Sequence, residues 1–232
     1  MAVRPATSYT DTNITVGVTY YYVVSATVSG VVSPYSSQVS ATVGSLPSPW
    51  KTTDVGCVGA SGSGSYNNCV FNLGGSGADI WGCSDAFRYV YQQTSGDCSI
   101  VAKVASVQNT SPWAKAGLMI RESTAANSRH ASVFITPGNG VAFQWRSCTG
   151  GCSYNVNLTC AQAPCWLKLV RNGNCLSAYY STDASCSNSS WKQIGSAQTI
   201  SIASCATFGL AVTSHNDGAV CTATFSNACA TP

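Results

Sequence analysis

Hydrophobic and polar residues alternate in short runs along most of the chain after residue 50, and clusters of Gly, Asn, Pro and Ser separate the runs. Alternation with a period of two predicts β-strands, and no segment shows the 3.6-residue period of an amphipathic helix. The predicted strands are 87–91, 99–107, 116–123, 130–137, 140–147, 165–172, 175–182, 198–203, 207–214 and 221–228. Short strands at this spacing predict an all-β protein in which two antiparallel sheets form a sandwich.

The first part of the chain is organised differently from the rest. Two β-rich runs, 18–28 and 31–43, flank Gly30 and together predict a hairpin. A Pro-rich stretch that follows them predicts a short extended connector. The predicted organisation is an N-terminal segment at 1–44, a linker at 45–49, a main domain at 50–229 and a tail at 230–232.

One strand of the N-terminal segment is apolar or aromatic on both faces. Tyr20 and Tyr22 lie on one face of it, and Tyr21 and Val23 lie on the other. Such a strand needs a cover on each side, which residues 1–44 are too few to supply. Three interpretations stay open: the segment docks on the main domain, it is a remnant of an upstream module, or strands of another chain complete it. The last of these is self-association through residues 1–44.

Charge is scarce throughout the protein. Charged residues make up 8% of the chain, the hydrophobic fraction is 45%, and the formal net charge is +3. Eleven basic residues, thinly spread, form no stripe that could neutralise several phosphates, so we expect no nucleic-acid partner. No apolar run approaches the roughly 20 residues of a membrane span, so we expect none. The uncharged polar surface that remains is rich in Ser and Thr.

Thirteen cysteines, all from Cys57 onward, are the strongest compositional signal. Their spacing does not fit a zinc site, and their dispersal predicts a disulfide framework formed in an oxidising compartment. The odd number leaves at least one thiol free or paired between chains. The start of the sequence lacks an apolar signal-peptide core, so we expect a processed or partial chain. The predicted local pairs are Cys148–Cys152, Cys175–Cys186 and Cys205–Cys221.

The N-terminal segment resembles the C-terminal part of a fibronectin type III domain. YTDT at 9–12 is similar to that family's fifth strand, residues 17–23 are similar to its tyrosine-corner strand, and residues 33–43 are similar to its last strand. The resemblance implies a three-strand piece of a sandwich whose first four strands are absent.

Seven stretches carry a second resemblance. They are WKTTDVG at 50–56, 76–92, GDCSIVAKV at 96–104, WAKAGLMIR at 113–121, WLKLVRNGN at 166–174, 179–196 and GLAVTSHNDG at 209–218. In order and spacing they are similar to the concanavalin A-like modules called DUF1349 or laminin-G/lectin-like domains. The resemblance implies a two-sheet jelly-roll sandwich in a secreted or cell-surface protein of bacterial type. It implies no particular function, because this fold carries lectins, hydrolases and adhesive modules.

The acid–base residues argue against an enzyme. Glycoside hydrolysis needs two neighbouring carboxyl groups, and the single glutamate, Glu122, has no carboxylate partner on its predicted strand. Asp79 and Asp85 lie six residues apart, separated by a turn. We therefore expect no catalytic residues, with a glycoside hydrolase-type activity as a minor alternative. Asp79, Asp85 and Asp97 could hold a structural Ca²⁺, although no D-x-D-x-D run occurs and turn capping is the favoured interpretation.

Glycan binding is the function that the sequence favours. Sugar sites stack a pyranose on an aromatic ring and orient its hydroxyl groups with polar side chains. Strand parity sends Leu118 and Ile120 to the core, and therefore predicts a solvent-facing row on the opposite side of the sheet. The predicted ligand-binding residues are Arg121, His130, Gln144 and Arg146 on that sheet face, with Trp81 and Trp113 in loops.

Two other interpretations remain open for these residues. The sheet face could be polar without a ligand, and the two tryptophans could anchor loops. The protein could instead be a structural subunit of an extracellular fibre or surface assembly, joined through strand edges. Glycosylation sequons lie at Asn13, Asn109, Asn157 and Asn188.

Overall fold

The structure is a computed structural model, and it describes residues 9, 11, 13–15, 18–42, 44–184 and 190–231. The chain divides into two compact units, Met1–Ser45 and Leu46–Pro232. Every regular element of the described residues is a β-strand, and all strand pairs are antiparallel. The expected all-β class is therefore confirmed. None of the described residues forms a helix long and apolar enough to cross a membrane.

The described strands of the first unit form one long hairpin. Strand β1 (Thr19–Tyr22) pairs with β4 (Val39–Thr42), and β2 (Thr27–Val28) pairs with β3 (Val31–Val32) around Gly30. Parts of 9–12 and 17–23, on which the fibronectin resemblance depends, lie outside the described residues.

Apolar side chains of the first unit are open to solvent. Tyr21 is 64% exposed, and Val24 and Val28 are about 70% exposed. The sequence predicts that both faces of β1 need a cover. Tyr21 on one face is exposed, whereas Tyr20 and Tyr22 on the other face are half-buried. Self-association through residues 1–44 therefore stays a prediction.

The second unit has seventeen strands in the part of the chain that the structure describes. They are β5 (Lys51–Val55), β6 (Ser63–Asn67), β7 (Val70–Gly75), β8 (Ile80–Trp81), β9 (Ser84–Asp85), β10 (Phe87–Ser95), β11 (Cys98–Val107), β12 (Lys115–Arg121), β13 (His130–Thr136), β14 (Gly140–Arg146), β15 (Tyr154–Leu158), β16 (Cys165–Asn172), β17 (Cys175–Ser181), β18 (Lys192–Gln193), β19 (Gln198–Thr199), β20 (Cys205–Thr213) and β21 (Cys221–Thr231).

Two large sheets share the main hydrophobic core of this unit. One has the strand order β15-β14-β13-β12-β20-β10-β5, and the other has the order β18-β17-β16-β11-β21-β7-β6, with β19 beside β17. Leu118 and Val133 of the first sheet belong to the same buried cluster as Ile100, Leu167 and Phe225 of the second. The predicted parity of β12 is correct, because Leu118 and Ile120 point into this core.

The outer face of the seven-stranded sheet has a second cover. A smaller apolar cluster packs there, with Ile80 from the β8–β9 hairpin against Phe87, Met119 and Phe134 from the sheet. The backbones of Gly77 and Ala86 lie very close to each other. A Cβ atom on Gly77 would lie 2.0 Å from the carbonyl oxygen of Ala86, so only glycine fits there. Residues 76–86 and 122–129 therefore form a lid over the middle of this face, which we call the outer lid.

The twelve cysteines that the structure describes are free thiols. The predicted pairs Cys148–Cys152 and Cys205–Cys221 are therefore not bonded in the structure, and Cys186 lies outside the described residues. The topology also excludes Cys205–Cys221. Cys205 begins β20, whereas Cys221 follows the loop at the other end of that strand, roughly 25 Å away at about 3.3 Å per residue.

Candidate functional site

Three of the predicted binding residues meet on neighbouring strands. The register places Arg121 of β12 opposite His130 of β13, and His130 opposite Arg146 of β14. Asp85, at the end of β9, accepts hydrogen bonds from Arg121 Nη1 at 3.2 Å and from Arg146 Nη1 at 2.9 Å and Nη2 at 2.5 Å. The side chains of Asp85, Arg121 and Arg146 are all fully buried. They form a buried ion triplet.

The remaining donors of the two guanidinium groups hold the outer lid. Arg121 donates to the carbonyl oxygens of Ser123 at 2.6 Å and Ala125 at 2.5 Å. Arg146 donates to the carbonyl oxygen of Ser128 at 3.0 Å, and also to backbone carbonyls of the β8–β9 turn and of residue 151. The expectation that these arginines face solvent is wrong, because the lid covers them. Their contacts position loops and leave them closed to a soluble ligand.

His130 is also buried under the lid. Its Nδ1 atom lies 2.9 Å from Ser132 Oγ, and its Nε2 atom has no hydrogen-bond partner in the structure. Burial lowers the pKa of His130 to about 3; the charge of Asp85 opposes this shift, and the cations Arg121 and Arg146 add to it. The imidazole is therefore neutral at pH 7. The expected solvent-facing role of His130 is wrong for the same reason as for the arginines.

The other predicted residues converge on an open cleft at the Lys115 end of the sheet. This cleft, which we call the tryptophan cleft, has a volume of about 370 Å³. Its lining residues are Asp79, Trp81, Trp113, Lys115, Gln144, Asn155 and His215. Trp81, Trp113 and Gln144 were predicted as ligand-binding residues, and the structure brings these three together.

A chain of charged and polar groups forms one wall of the cleft. Lys115 Nζ contacts Asp79 Oδ1, and His215 Nε2 lies 3.5 Å from Asp79 Oδ2. His215 Nδ1 lies 3.2 Å from Ser111 Oγ. Lys115 Nζ also lies 5.9 Å from the centre of the Trp113 ring, within range of a cation–π contact. Burial lowers the pKa of Lys115, and the charge of Asp79 opposes that shift. The carboxylate and the ammonium group therefore compensate each other.

Gln144 lines the cleft and carries an unused acceptor. Its side chain is almost fully buried, and its Oε1 atom has no hydrogen-bond partner in the structure. A buried polar atom without a partner costs about 1–3 kcal/mol, so a ligand hydroxyl group that donates to Oε1 would recover stability. Trp81 is 40% exposed and offers the largest accessible ring at the cleft.

Sequence reasoning missed Lys115, Asn155 and His215 as lining residues. Lys115 could have been predicted from the sequence, because it shares the strand parity that selected Arg121. His215 was assigned to a turn, where it indeed sits with a positive φ of 50°. Asn155 lies on β15, a strand that the pattern did not predict.

A second, larger groove lies at the opposite end of the same sheet face. It has a volume of about 610 Å³, and Tyr91, Gln93, Glu122 and Thr207 are among its lining residues. Glu122 is engaged there, with Oε2 at 3.7 Å from Arg129 Nε and Oε1 accepting from the Ala203 amide at 3.2 Å. Among the described lining residues, Glu122 is the single carboxylate. The groove therefore lacks the carboxylate pair that glycoside hydrolysis needs.

The aspartates considered for calcium have separate partners. Asp79 contacts Lys115, Asp85 contacts the two arginines, and Asp97 accepts from the Gly173 amide at 2.5 Å. No group of three or more potential metal ligands occurs in the described part of the chain. These three aspartates therefore do not form a shared calcium site in the structure.

No known protein family matches the chain, neither DUF1349 nor fibronectin type III, and no curated protein matches it in sequence. Among solved structures, a functionally unknown protein from Saccharomyces cerevisiae aligns with a TM-score of 0.59 and 17% identity, covering 73% of this chain and 91% of the yeast protein. A GH43 protein from Bacillus licheniformis has a TM-score of 0.49 and 15% identity, covering 70% of this chain. A xylan β-1,4-xylosidase from Bacillus halodurans has a TM-score of 0.47 and 16% identity, covering 68% of it.

The chain spans 33% and 32% of the lengths of these two bacterial proteins. Their similarity is too weak to carry an argument. The yeast protein, at 17% identity, is evidence for the fold alone. What the comparisons support for this chain is an all-β fold.

Proposed function

We propose that residues 50–229 form a concanavalin A-like jelly-roll module that binds a glycan in the tryptophan cleft without catalysis. One observation carries the proposal: two tryptophans converge on a cleft in which the buried Oε1 atom of Gln144 has no partner. In this proposal the first unit is the fibronectin type III-like companion of that module.

The chemistry of the cleft suits a neutral sugar. The exposed ring of Trp81 can stack on the apolar face of a pyranose, and Gln144 and Asn155 can bond its hydroxyl groups. Because Asp79 and Lys115 compensate each other's charge, the wall of the cleft favours neither an anion nor a cation. A volume of about 370 Å³ lies at the lower end of small-molecule sites, which suits one or two sugar units.

The proposed role is binding or adhesion outside the cell. Low charge and thirteen cysteines support a secreted or cell-surface protein. A non-catalytic role is supported by the placement of the carboxylates, because the acidic residue at each opening on this sheet face is already held by a cation. A glycoside hydrolase-type enzyme remains a weaker alternative. A structural subunit of a fibre is a second candidate, favoured by the exposed apolar side chains of the first unit.

A glycan array followed by calorimetric titration tests the binding proposal. We expect Trp81→Ala and Gln144→Ala each to weaken binding of the selected glycan about 10–100-fold, from lost stacking and a lost hydrogen bond. Trp191→Ala is the matched control, because Trp191 contacts Lys168 and does not line the cleft. If no glycan binds, or if Trp191→Ala weakens binding as much as Trp81→Ala, the cleft is not the site.

A further inference from the structure

Two exposed cysteines lie beside a shared hydrogen-bond donor. Cys83 is the second residue of the two-residue turn between β8 and β9, directly after Gly82. Cys152 directly follows Gly151, in the loop between β14 and β15. Arg146 Nε donates to the carbonyl oxygens of both glycines, to Gly82 at 3.2 Å and to Gly151 at 3.1 Å.

The shared donor brings the two backbones together. Two oxygen atoms that accept from one nitrogen lie within about 6 Å of each other, and each is about 3 Å from the Cα atom of the next residue. Ser153, next to Cys152, also donates from Oγ to the Gly82 carbonyl oxygen at 2.9 Å. The Cα atoms of Cys83 and Cys152 therefore lie within about 12 Å of each other, and movement of the two exposed loops by a few ångströms would bring them to the roughly 4.4–6.8 Å that a disulfide spans.

We infer that Cys83 and Cys152, which are free thiols in the structure, form a disulfide on oxidation that ties the β8–β9 turn to the β14–β15 loop. The two thiols lose two protons and two electrons to a disulfide oxidant such as oxidised glutathione. The oxidant leaves as two reduced thiols, and one S–S bond forms as another breaks. This pair is favoured over Cys148–Cys152, which closes a loop of three intervening residues and gains little from loop entropy.

The disulfide would also fix one wall of the tryptophan cleft. Trp81 directly precedes the tied turn, so its ring would lose freedom before a ligand arrives. Preorganisation of this kind improves affinity by reducing the ordering cost of binding. This consequence rests on the proposed function, whereas the bond itself does not.

The test uses the full chain, refolded with oxidised and reduced glutathione, alkylated and digested without reduction. We expect a cross-linked peptide that joins Cys83 to Cys152 and disappears in both Cys83→Ser and Cys152→Ser. Cys69→Ser is the matched control, because Cys69 is also the exposed second residue of a two-residue hairpin turn, between β6 and β7. That variant should keep the cross-link. The oxidised wild type should melt about 5–10 °C above Cys83→Ser.

Three results would overturn the inference: a Cys148–Cys152 peptide in the wild type, Cys83 linked to another cysteine, or Cys83 and Cys152 both alkylated after oxidation. Glycan titration of the oxidised protein keeps the two proposals apart. A mapped cross-link without glycan binding would contradict the proposed function but not the disulfide. Glycan binding with both thiols alkylated would contradict the disulfide but not the proposed function.

Discussion

The carboxylate of Asp85 is buried, and two guanidinium groups contact it. Removing a charge from water is expensive, and the cost is met only when good geometry and further hydrogen bonds compensate it. Here Arg121 and Arg146 supply the compensating charge and the hydrogen bonds to Asp85. Their remaining N–H groups donate to backbone carbonyl oxygens. The triplet therefore depends on Asp85 as its single carboxylate.

Asp85→Asn should lower the free energy of unfolding by about 3–5 kcal/mol, because it leaves two buried guanidinium groups without a compensating charge. Urea unfolding followed by tryptophan fluorescence measures the change. Glu122→Gln is the control, since its ion pair with Arg129 is partly exposed and should contribute about 1 kcal/mol or less. Equal losses in the two variants would contradict the importance assigned to the triplet.

His130 should make stability fall with acidity. Its pKa is about 3 in the folded protein and 6.5 in the unfolded chain, so the unfolded chain takes up a proton first. The stabilisation is complete above about pH 6.5 and should drop by about 2 kcal/mol by pH 5. Urea midpoints measured across this range test it. His130→Gln should flatten this decline, whereas His215→Gln should retain it because His130 remains. A decline of the same size in His130→Gln would show that another group is responsible.

At the scale of elements, the packing between strands leaves no room at certain backbone positions. Gly117 lies on β12 between β13 and β20, and an added Cβ atom would fall 1.9 Å from the Val133 carbonyl oxygen. The neighbouring atoms belong mainly to backbone, which cannot move aside as a flexible side chain could. The centre of the seven-stranded sheet therefore requires glycine here.

Gly117→Ala should destabilise the protein by about 3 kcal/mol, because β12 and β13 must separate to admit the methyl group. Gly173→Ala is the comparison, since Gly173 has a φ of 59° and no atom within 4 Å of its added Cβ. That variant should cost about 1 kcal/mol, from backbone strain alone. Denaturant melts of the two proteins decide the matter, and a smaller loss for Gly117→Ala would mean that the strands yield easily.

Strand content was predictable wherever alternation was strong. All ten predicted strands of the main domain overlap observed ones, although 198–203 shortens to Gln198–Thr199. The pattern missed the two-residue strands β8, β9 and β18, and also β5, β6, β7 and β15, whose sequences are short and rich in Gly, Ser, Thr or Asn. Their strand conformation comes from pairing with distant neighbours, such as β7 with β21, and local propensity does not contain that information.

The candidate site was predictable to a similar extent. Parity placed Arg121, His130, Gln144 and Arg146 on one sheet face, which is where the structure has them. Burial of these four side chains was not predictable, because it depends on tertiary packing that includes residues 76–86 of the outer lid, which are far away in sequence. Gln144 faces the tryptophan cleft, at the rim of that lid.

At the scale of the whole molecule, the two units differ in how much apolar surface they leave open. In the second unit large apolar side chains are mostly buried, whereas the exposed ones concentrate in the first. Unpaired strand edges with exposed valines are sites at which a second copy can add. This contrast motivates the prediction of self-association.

The full chain should show a mass that rises with concentration in sedimentation experiments. Replacing Val28 and Val31 by Lys should return it to a monomer, because both are over 70% exposed and charge opposes edge-to-edge pairing. Val220→Lys changes an exposed valine of the second unit and should leave association intact. A wild-type chain that stays monomeric at every concentration would contradict this prediction.

The place of β21 in the eight-stranded sheet sets the order in which the protein can be completed during synthesis. It lies between β11 and β7, and it begins at Cys221. When the first 220 residues have been synthesised, β7 and β11 exist, but β21, the strand that joins them, does not. Until β21 is made, the facing edges of β11 and β7 are unpaired and can pair with the wrong strands. The eight-stranded sheet can therefore close only after β21 has been made, and a chaperone that shields strand edges would help most during that interval.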